Sequence, residues 1–443
     1  MRKKKVLIYI DDDLYIRNYF TYNAFALPDF EVVIYANKSI SQKYLLEDRD
    51  DFQGYIYDSP KRAGFRNLQS VIQLLKYINL SKSFKFRFNR NSKKGKLFFK
   101  VLSLPVIRNF TNFYIKISLR ENKSIKDVIL NEKPNLVVIP SQVVGSISLD
   151  IIEICDKAKI PTLCLIDGWD NISSKTIFPI LPTYLAVWGE QSVRHAVDIQ
   201  GFNKNKIFKI GTPRFDSYLE KINLKPIYDF KYVVFTGCAI AFDEISALKA
   251  LDYILTKNNI KDVKIVYRPH PWRHPRACFD YFIEEDFKNV ILDKQMAGYY
   301  FCGKNGGATK DTQLQPPLDY YPRLLNYCEF VVSPLTTMII ESIVMNKKVL
   351  VLAYDDGIHF TNPLNALKNY EHFDNIEDIP SFNFCYDYKT LPNVFIEMIS
   401  VPTMKQNLKE DINDIINIDN TKYADRLNKV VDNILTTKRP NVW

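Results

Sequence analysis

Two doubly wound, Rossmann-like α/β domains facing a cleft are the fold class this sequence predicts, on three observations. The 443-residue length exceeds what a single hydrophobic core usually organises. Short β-branched runs alternate along the chain with stretches long enough for crossover helices. That alternation halts near residues 220–230, at a connection bearing Pro226, and then starts afresh.

Residues 6–10 form a β-branched run closed by Asp11, Asp12 and Asp13, and read as the first buried strand of a parallel sheet. Residues 31–35 read as the second strand, with 14–27 as the crossover helix that a parallel pair requires. The pattern recurs at 136–140 and 162–166, joined by a helix over 147–158, and again at 184–188. A second series runs through 232–237, 264–267, 330–332 and 349–352. The expected organisation is an N-terminal domain over 1–222, a C-terminal domain over 228–400, and helices over 401–443 packing across both.

Composition sets outer bounds. Hydrophobic residues at 47% and aromatics at 14% supply two cores and exclude wholesale disorder. The seven cysteines, Cys155, Cys164, Cys238, Cys278, Cys302, Cys328 and Cys385, are odd in number and show no C-x-x-C spacing. They read as buried free thiols of a cytoplasmic protein. The basic N-terminus leads into only five apolar residues before three aspartates, too short for a secretory signal, and no run has the length of a membrane span.

The net charge of +10 is concentrated: residues 61–120 hold fifteen Lys or Arg and no Asp or Glu. Phe84, Phe86, Phe88, Phe98 and Phe99 are interleaved with them. A solvated basic loop, docking on an anionic membrane and nucleic-acid binding compete for this segment. Membrane docking is the expectation, because no helix-turn-helix or RNA-reading pattern accompanies it.

Chemistry-bearing residues cluster after strands. Arg268, His270 and Pro271 stand on the loop after 264–267, where open α/β sheets bind ligands, and Arg and His suit phosphate oxygens. Ser333, Thr336 and Thr337 precede a helical stretch whose N-terminus favours an anion; a plain helix cap at Thr337 is the alternative. Glu341, one turn on, is of the kind that holds a ribose hydroxyl, and Gly237 permits close backbone approach. Three such loops together describe a nucleotide pocket.

The order strand, Arg-Pro-His-Pro, strand, Ser-Pro-x-Thr-Thr-x-x-x-Glu, then Val-Leu-Val-Leu with Asp355 resembles the donor half of GT-B transferases over residues 160–360. It is most similar to the group of CDP-glycerol glycerophosphotransferases, polysialyltransferases and capsule Kdo-transferases. The resemblance implies that His270 with Pro271, and Ser333, Thr336 and Thr337, bind the phosphate of a cytidine nucleotide. Other GT-B enzymes and epimerases carry the same Ser-x-x-x-x-Glu helix with UDP donors.

In the first domain, Asp167, Trp169, Asp170 and Asn171 emerge together after a strand. Trp169 can stack on a sugar ring while an aspartate takes the acceptor proton; a simple turn is the alternative. Asp13 is a further candidate base, unless the three aspartates cap the next helix. Gly211 and Arg214 resemble the family's Gly-x-Pro-x-x-Asp segment, with Arg214 in reach of phosphate or acceptor. No Asp-x-Asp pair ends a strand of the second domain, so neither metal nor cofactor is expected. The expected activity is transfer of a sugar from a nucleotide donor to a bacterial capsule, lipopolysaccharide or lipid-linked glycan. A UDP-sugar 2-epimerase and a non-catalytic glycan-assembly partner are the rivals.

Overall fold

The computed structural model describes residues 3–141, 145–175, 177–219, 225–271, 282–297, 316–400, 407–419 and 421–436. The chain divides into two compact units, Met1–Asp216 with Asp414–Trp443, and Ser217–Asn413.

The first unit is built on β1 (Lys5–Ile10), β2 (Glu31–Asn37), β3 (Phe52–Ile56), β4 (Leu136–Ser141), β5 (Thr162–Ile166), β6 (Tyr184–Val187) and β7 (Ile207–Lys209). They pair in parallel in the order β3-β2-β1-β4-β5-β6-β7. Its helices are α1 (Asp13–Phe20), α2 (Pro60–Lys76), α3 (Lys82–Asn89), α4 (Lys93–Ser103), α5 (Pro105–Ser118), α6 (Lys123–Glu132), α7 (Ser146–Lys157) and α8 (Glu190–Asp198). Side chains alternate across the pleat. Val6, Ile8, Ile10, Leu163 and Leu165 therefore face one core with Ile16 and Tyr19 of α1. Leu7, Tyr9, Val137 and Ile139 face another, with Ile125 of α6 and Ile151 and Cys155 of α7.

The crossover helix expected over 14–27 stops at Phe20. Asn23 takes left-handed backbone at φ +53, and Ala24, Phe25 and Leu27 turn into the core as loop residues. Of the three aspartates only Asp12 caps α1, accepting from Leu14 N at 2.8 Å.

The basic stretch is helical, spanning α2 to α5, and part of its charge is internal. Asp150 of α7 is wholly buried and clamped by both guanidiniums of α2. Arg62 reaches it through Nε and Nη2, Arg66 donates Nε at 2.9 Å and Nη2 at 2.6 Å, and Asn122 adds Nδ2 at 2.9 Å. Arg87 of α3 donates to the Ser174 and Lys175 carbonyls at 2.6 Å, and Ser81 to the Ser173 carbonyl at 2.9 Å. Phe84 and Phe86 are buried, which removes them from the exposed aromatics that the interleaving suggests.

The second unit repeats the design with β8 (Lys231–Thr236), β9 (Val263–Arg268), β10 (Val290–Leu292), β11 (Val331–Ser333), β12 (Val349–Leu352) and β13 (Phe382–Cys385). The order is β10-β9-β8-β11-β12-β13, again parallel. Helices α9 (Glu244–Lys257), α10 (Tyr320–Asn326), α11 (Met338–Val344), α12 (Pro363–Asn369) and α13 (Leu391–Ser400) accompany it. Leu248 and Leu251 of α9 and Phe395 of α13 pack on Val233, Phe235, Ile265 and Leu350.

The tail is shared. Leu408–Ile412 belongs to the second unit, whereas α14 (Tyr423–Thr436) sends Tyr423, Leu427 and Val431 into the first core. Between them, Asp414 O accepts from Gln191 N at 2.8 Å and Asn417 N donates to Trp188 O at 2.7 Å. Gly211, at φ +69, turns the chain beneath Asn417, whose carbonyl oxygen lies 2.8 Å from where a Cβ would stand. Five cysteines are buried, and burial pushes the thiols of Cys155, Cys164 and Cys328 up to about 12; Cys278 and Cys302 lie outside the described residues. Among the described residues no helix is long and apolar enough to cross a membrane.

Removing Asp150 leaves two largely buried guanidiniums with Glu153, on Arg66, as their remaining counter-charge. Asp150→Ala should cost about 3–5 kcal/mol of unfolding free energy, read from urea denaturation. Asp150→Asn keeps the volume but turns an Nδ2 donor toward guanidinium or amide donors, so it should cost a similar amount.

Candidate functional site

A parallel sheet in which the chain winds first one way and then the other leaves a crevice at the carboxyl edge, between the two strands where the winding reverses. Here that point lies between β8 and β11 in the second unit, and between β1 and β4 in the first.

In the second unit the loops after β8, β9 and β11 come together at this crevice. Gly237 N donates to Arg268 O at 2.8 Å, and a Cβ on Gly237 would lie 2.7 Å from both His270 N and Glu244 Oε2. Thr236 Oγ1 donates to Ser333 Oγ at 2.6 Å, joining the ends of β8 and β11. Glu244 accepts from Cys238 N at 2.9 Å and from the Tyr267 hydroxyl at 2.7 Å, which fixes the first loop against the second strand.

The individual residues divide into frame and lining. Arg268 is not a free phosphate fork: it is buried and ion-paired with the wholly buried Asp293, and its guanidinium lies 4.8 Å from the Tyr321 ring centre. Asp293 also accepts from the hydroxyls of Tyr228, at 3.0 Å, and Tyr320. Ser333 is fully buried and donates to Pro334 O at 2.7 Å. Glu341 is buried and accepts from the Tyr218 hydroxyl, so the carboxylate expected to hold a ribose is internal. His270, Pro271, Thr336 and Thr337 keep partial exposure. Thr337 stands at the N-cap of α11, but in helical backbone (φ −59, ψ −23), which turns its hydroxyl away from capping, and no cap bond forms.

The crevice of the first unit holds Asp11 rather than Asp13. Asp13 faces the loop after β2, accepting from Ser41 N, Ser41 Oγ and Gln42 N at 2.6–3.2 Å. Asp11 accepts from Tyr9 and Asn37 at 3.1 and 3.0 Å, and a Cβ on Gly145 would stand 1.7 Å from its Oδ2. Burial raises the Asp11 carboxyl above its ordinary range against those two bonds.

Asp167, at the end of β5, is buried and accepts from Asn18 Nδ2 at 3.1 Å. Burial raises its pKa above the ordinary value, while Arg214, Asn18, Lys175 and Arg17 pull the other way. Asp170 is partly exposed and pairs with Lys175 at 3.3 Å. Trp169 is not the exposed sugar platform its strand-end position suggests: its Nε1 donates to Gln191 at 2.7 Å under the first turn of α8, and the indole is buried. Asn171 is also fully buried, and neither atom of its amide has a hydrogen-bond partner among the described residues. Arg214 lies 5.1 Å from the Trp188 ring centre.

No protein-family model and no curated protein sequence matches the chain. Solved structures do. A putative UDP-N-acetylglucosamine 2-epimerase from Listeria monocytogenes matches at TM-score 0.54 and 12% identity, over 99% of each chain. S. aureus MnaA in complex with UDP matches at 0.53 and 11%, also over 99% of each. The UDP-GlcNAc 2-epimerase of Methanocaldococcus jannaschii matches at 0.51 and 12%, over 96% of this chain and 99% of that one. The fold is GT-B. At these identities the likeness concerns the fold alone.

Within this GT-B chain one strand-end pair escaped the sequence reading. On the loop after β12, His359 Nδ1 lies 2.7 Å from Asp356 Oδ2, which also accepts from Asp243 N at 3.0 Å on the loop after β8. Burial works to raise the Asp356 carboxyl, but bonds from the His359 backbone and ring and from Ile358 and Asp243 outweigh it and hold it below its ordinary value. The Asp355-Asp356-Gly357 run was the available signal, but nothing local ties it to Asp243. A cavity of about 340 Å³, lined by Lys231, Val263, Phe330, Asn383 and Met398, opens at the opposite, amino-terminal edge of the second sheet. Among the described residues no group of three or more His, Cys, Asp or Glu is placed to hold a metal ion.

Gly237→Ala puts a methyl against backbone and should destabilise the protein by about 1–3 kcal/mol in thermal or urea unfolding. For Asp167, a folded-state pKa raised above the unfolded one contributes stability that is present in acid and lost as pH rises through the folded value. Asp167→Asn removes that loss, so its melting temperature should gain on wild type as pH rises above the ordinary carboxylate range of about 4.

Proposed function

We propose that the chain is a metal-independent glycosyltransferase. Its second unit holds a nucleotide-activated sugar, CMP- or CDP-linked in preference to UDP-linked. Its first unit presents the acceptor, a bacterial capsule, lipopolysaccharide or lipid-linked glycan at the inner face of the cytoplasmic membrane. The observation that supports this reading is the meeting of the loops after β8, β9 and β11 at the point of winding reversal, held by Gly237, Thr236 and Ser333. Around that frame His270, Thr336 and Thr337 remain partly exposed as donors to phosphate oxygens.

In this mechanism the acceptor hydroxyl oxygen attacks the activated sugar carbon as the bond to the donor phosphate breaks. The hydroxyl proton passes to a carboxylate of the first unit. Asp170 suits that role better than Asp13 or Asp167, because its carboxylate keeps partial exposure beside Lys175, whereas Asp13 is tied to the loop after β2 and Asp167 is buried against Asn18. Imidazole and hydroxyl donors offset the charge on the departing phosphate.

A second reading, a UDP-sugar 2-epimerase, is favoured by the solved structures of similar fold, which carry that name. An epimerase converts donor alone, whereas a transferase consumes donor only with acceptor, so incubation of the nucleotide-sugar with and without glycan separates them. A non-catalytic partner would be stabilised by ligand without turnover. In a melting screen of CMP, CDP, UDP, GDP and dTDP, the cytidine nucleotides should give the largest shift. His270→Ala should weaken binding about tenfold or more. A full shift in that variant rejects the donor site.

A further inference from the structure

Helices α4 and α5 each carry two apolar faces, and among the described residues only one of them is covered. On α5, Ile107 and Ile115 turn inward to a small core with Ile72 and Leu75 of α2 and Leu102 of α4. Val106, Phe110, Phe113 and Ile117 recur at i, i+4, i+7 and i+11, the spacing of a second stripe, and are 81%, 69%, 62% and 57% exposed. On α4, Leu97, Phe98 and Val101 are likewise exposed, while Phe99 and Leu102 face the core. A patch of this kind on a water-facing surface marks a binding face.

The charges around it select the occupant. Residues 93–118 contain six cations and no Asp or Glu, and Lys93, Lys94, Lys100 and Lys116 are exposed. A second copy of the same face would bring like charges together at its rim, which opposes self-association. A nucleic acid would use the lysines but leave Val106, Phe110 and Ile117 without a role. An anionic bilayer uses both sets, taking apolar side chains into the acyl boundary and lysines against lipid phosphates.

We propose that the α4–α5 hairpin lies in the plane of an anionic phospholipid membrane, with Phe110 and Phe113 inserted and the flanking lysines paired to lipid phosphates. This deepens the transferase reading by placing a lipid-linked acceptor beside the first unit. The binding itself requires neither nucleotide nor turnover.

The test is flotation of the full chain with phosphatidylglycerol–phosphatidylcholine vesicles and with pure phosphatidylcholine vesicles. Wild type should float with the first and weakly with the second. Phe110→Ser with Phe113→Ser, both pointing away from the core, should reduce flotation about tenfold or more while leaving the melting temperature and any nucleotide-induced shift unchanged. Lys100→Gln with Lys116→Gln should reduce binding to the anionic vesicles roughly tenfold, with little change on phosphatidylcholine. The proposal is overturned if wild type stays with the soluble fraction. It is also overturned if the serine variant floats as wild type does, or if native mass measurement finds a dimer that this variant separates. Absence of vesicle binding with an intact nucleotide shift would remove the docking surface and leave the donor reading standing.

Discussion

Parallel pairing is the constraint on which the rest depends. In both sheets every strand runs the same way, so every loop that follows a strand emerges at one edge and the helices are left to cover the faces. The reversal of winding then separates two adjacent loops and opens a crevice between them. The placement of Asp11 and Gly145 in one unit, and of Gly237, His270 and Ser333 in the other, follows from strand order before any side chain is considered. Close approach at those points explains the glycines: at Gly145 and Gly237 a methyl group would collide with a carboxylate or with backbone.

The strands at the centre of each sheet were legible because burial on both faces writes them as continuous apolar runs, as in Val6–Ile10 and Val349–Leu352. The edge strands were not. β3 reads Phe-Gln-Gly-Tyr-Ile, β7 is three residues long and β13 begins Phe-Asn, so each shows only half of a buried pattern. The helices over 60–118 were obscured by charge density, which reads locally as a solvated run.

Candidate residues were legible by position but not by role. Arg268, Ser333, Glu341 and Trp169 all lie at strand ends or one turn beyond, where ligand-binding groups gather. Their partners, however, are Asp293, Thr236, Tyr218 and Gln191, between 22 and 123 residues away. No local pattern announces such a pairing. A polar side chain at a sheet edge serves as frame or as lining according to whether the fold supplies a complement. Where one is supplied, as for Arg268, the desolvation penalty is met internally and the group is withdrawn from solvent.

The clamp on Asp150 also ties the basic helices to α7. The first unit keeps a carboxylate with no exposed surface, and the arginines of α2 neutralise it. The two are thereby interdependent: removing residues 60–118 takes away both guanidinium counter-charges of Asp150 along with the helix that packs over it, so the basic segment cannot be trimmed as a passive appendage.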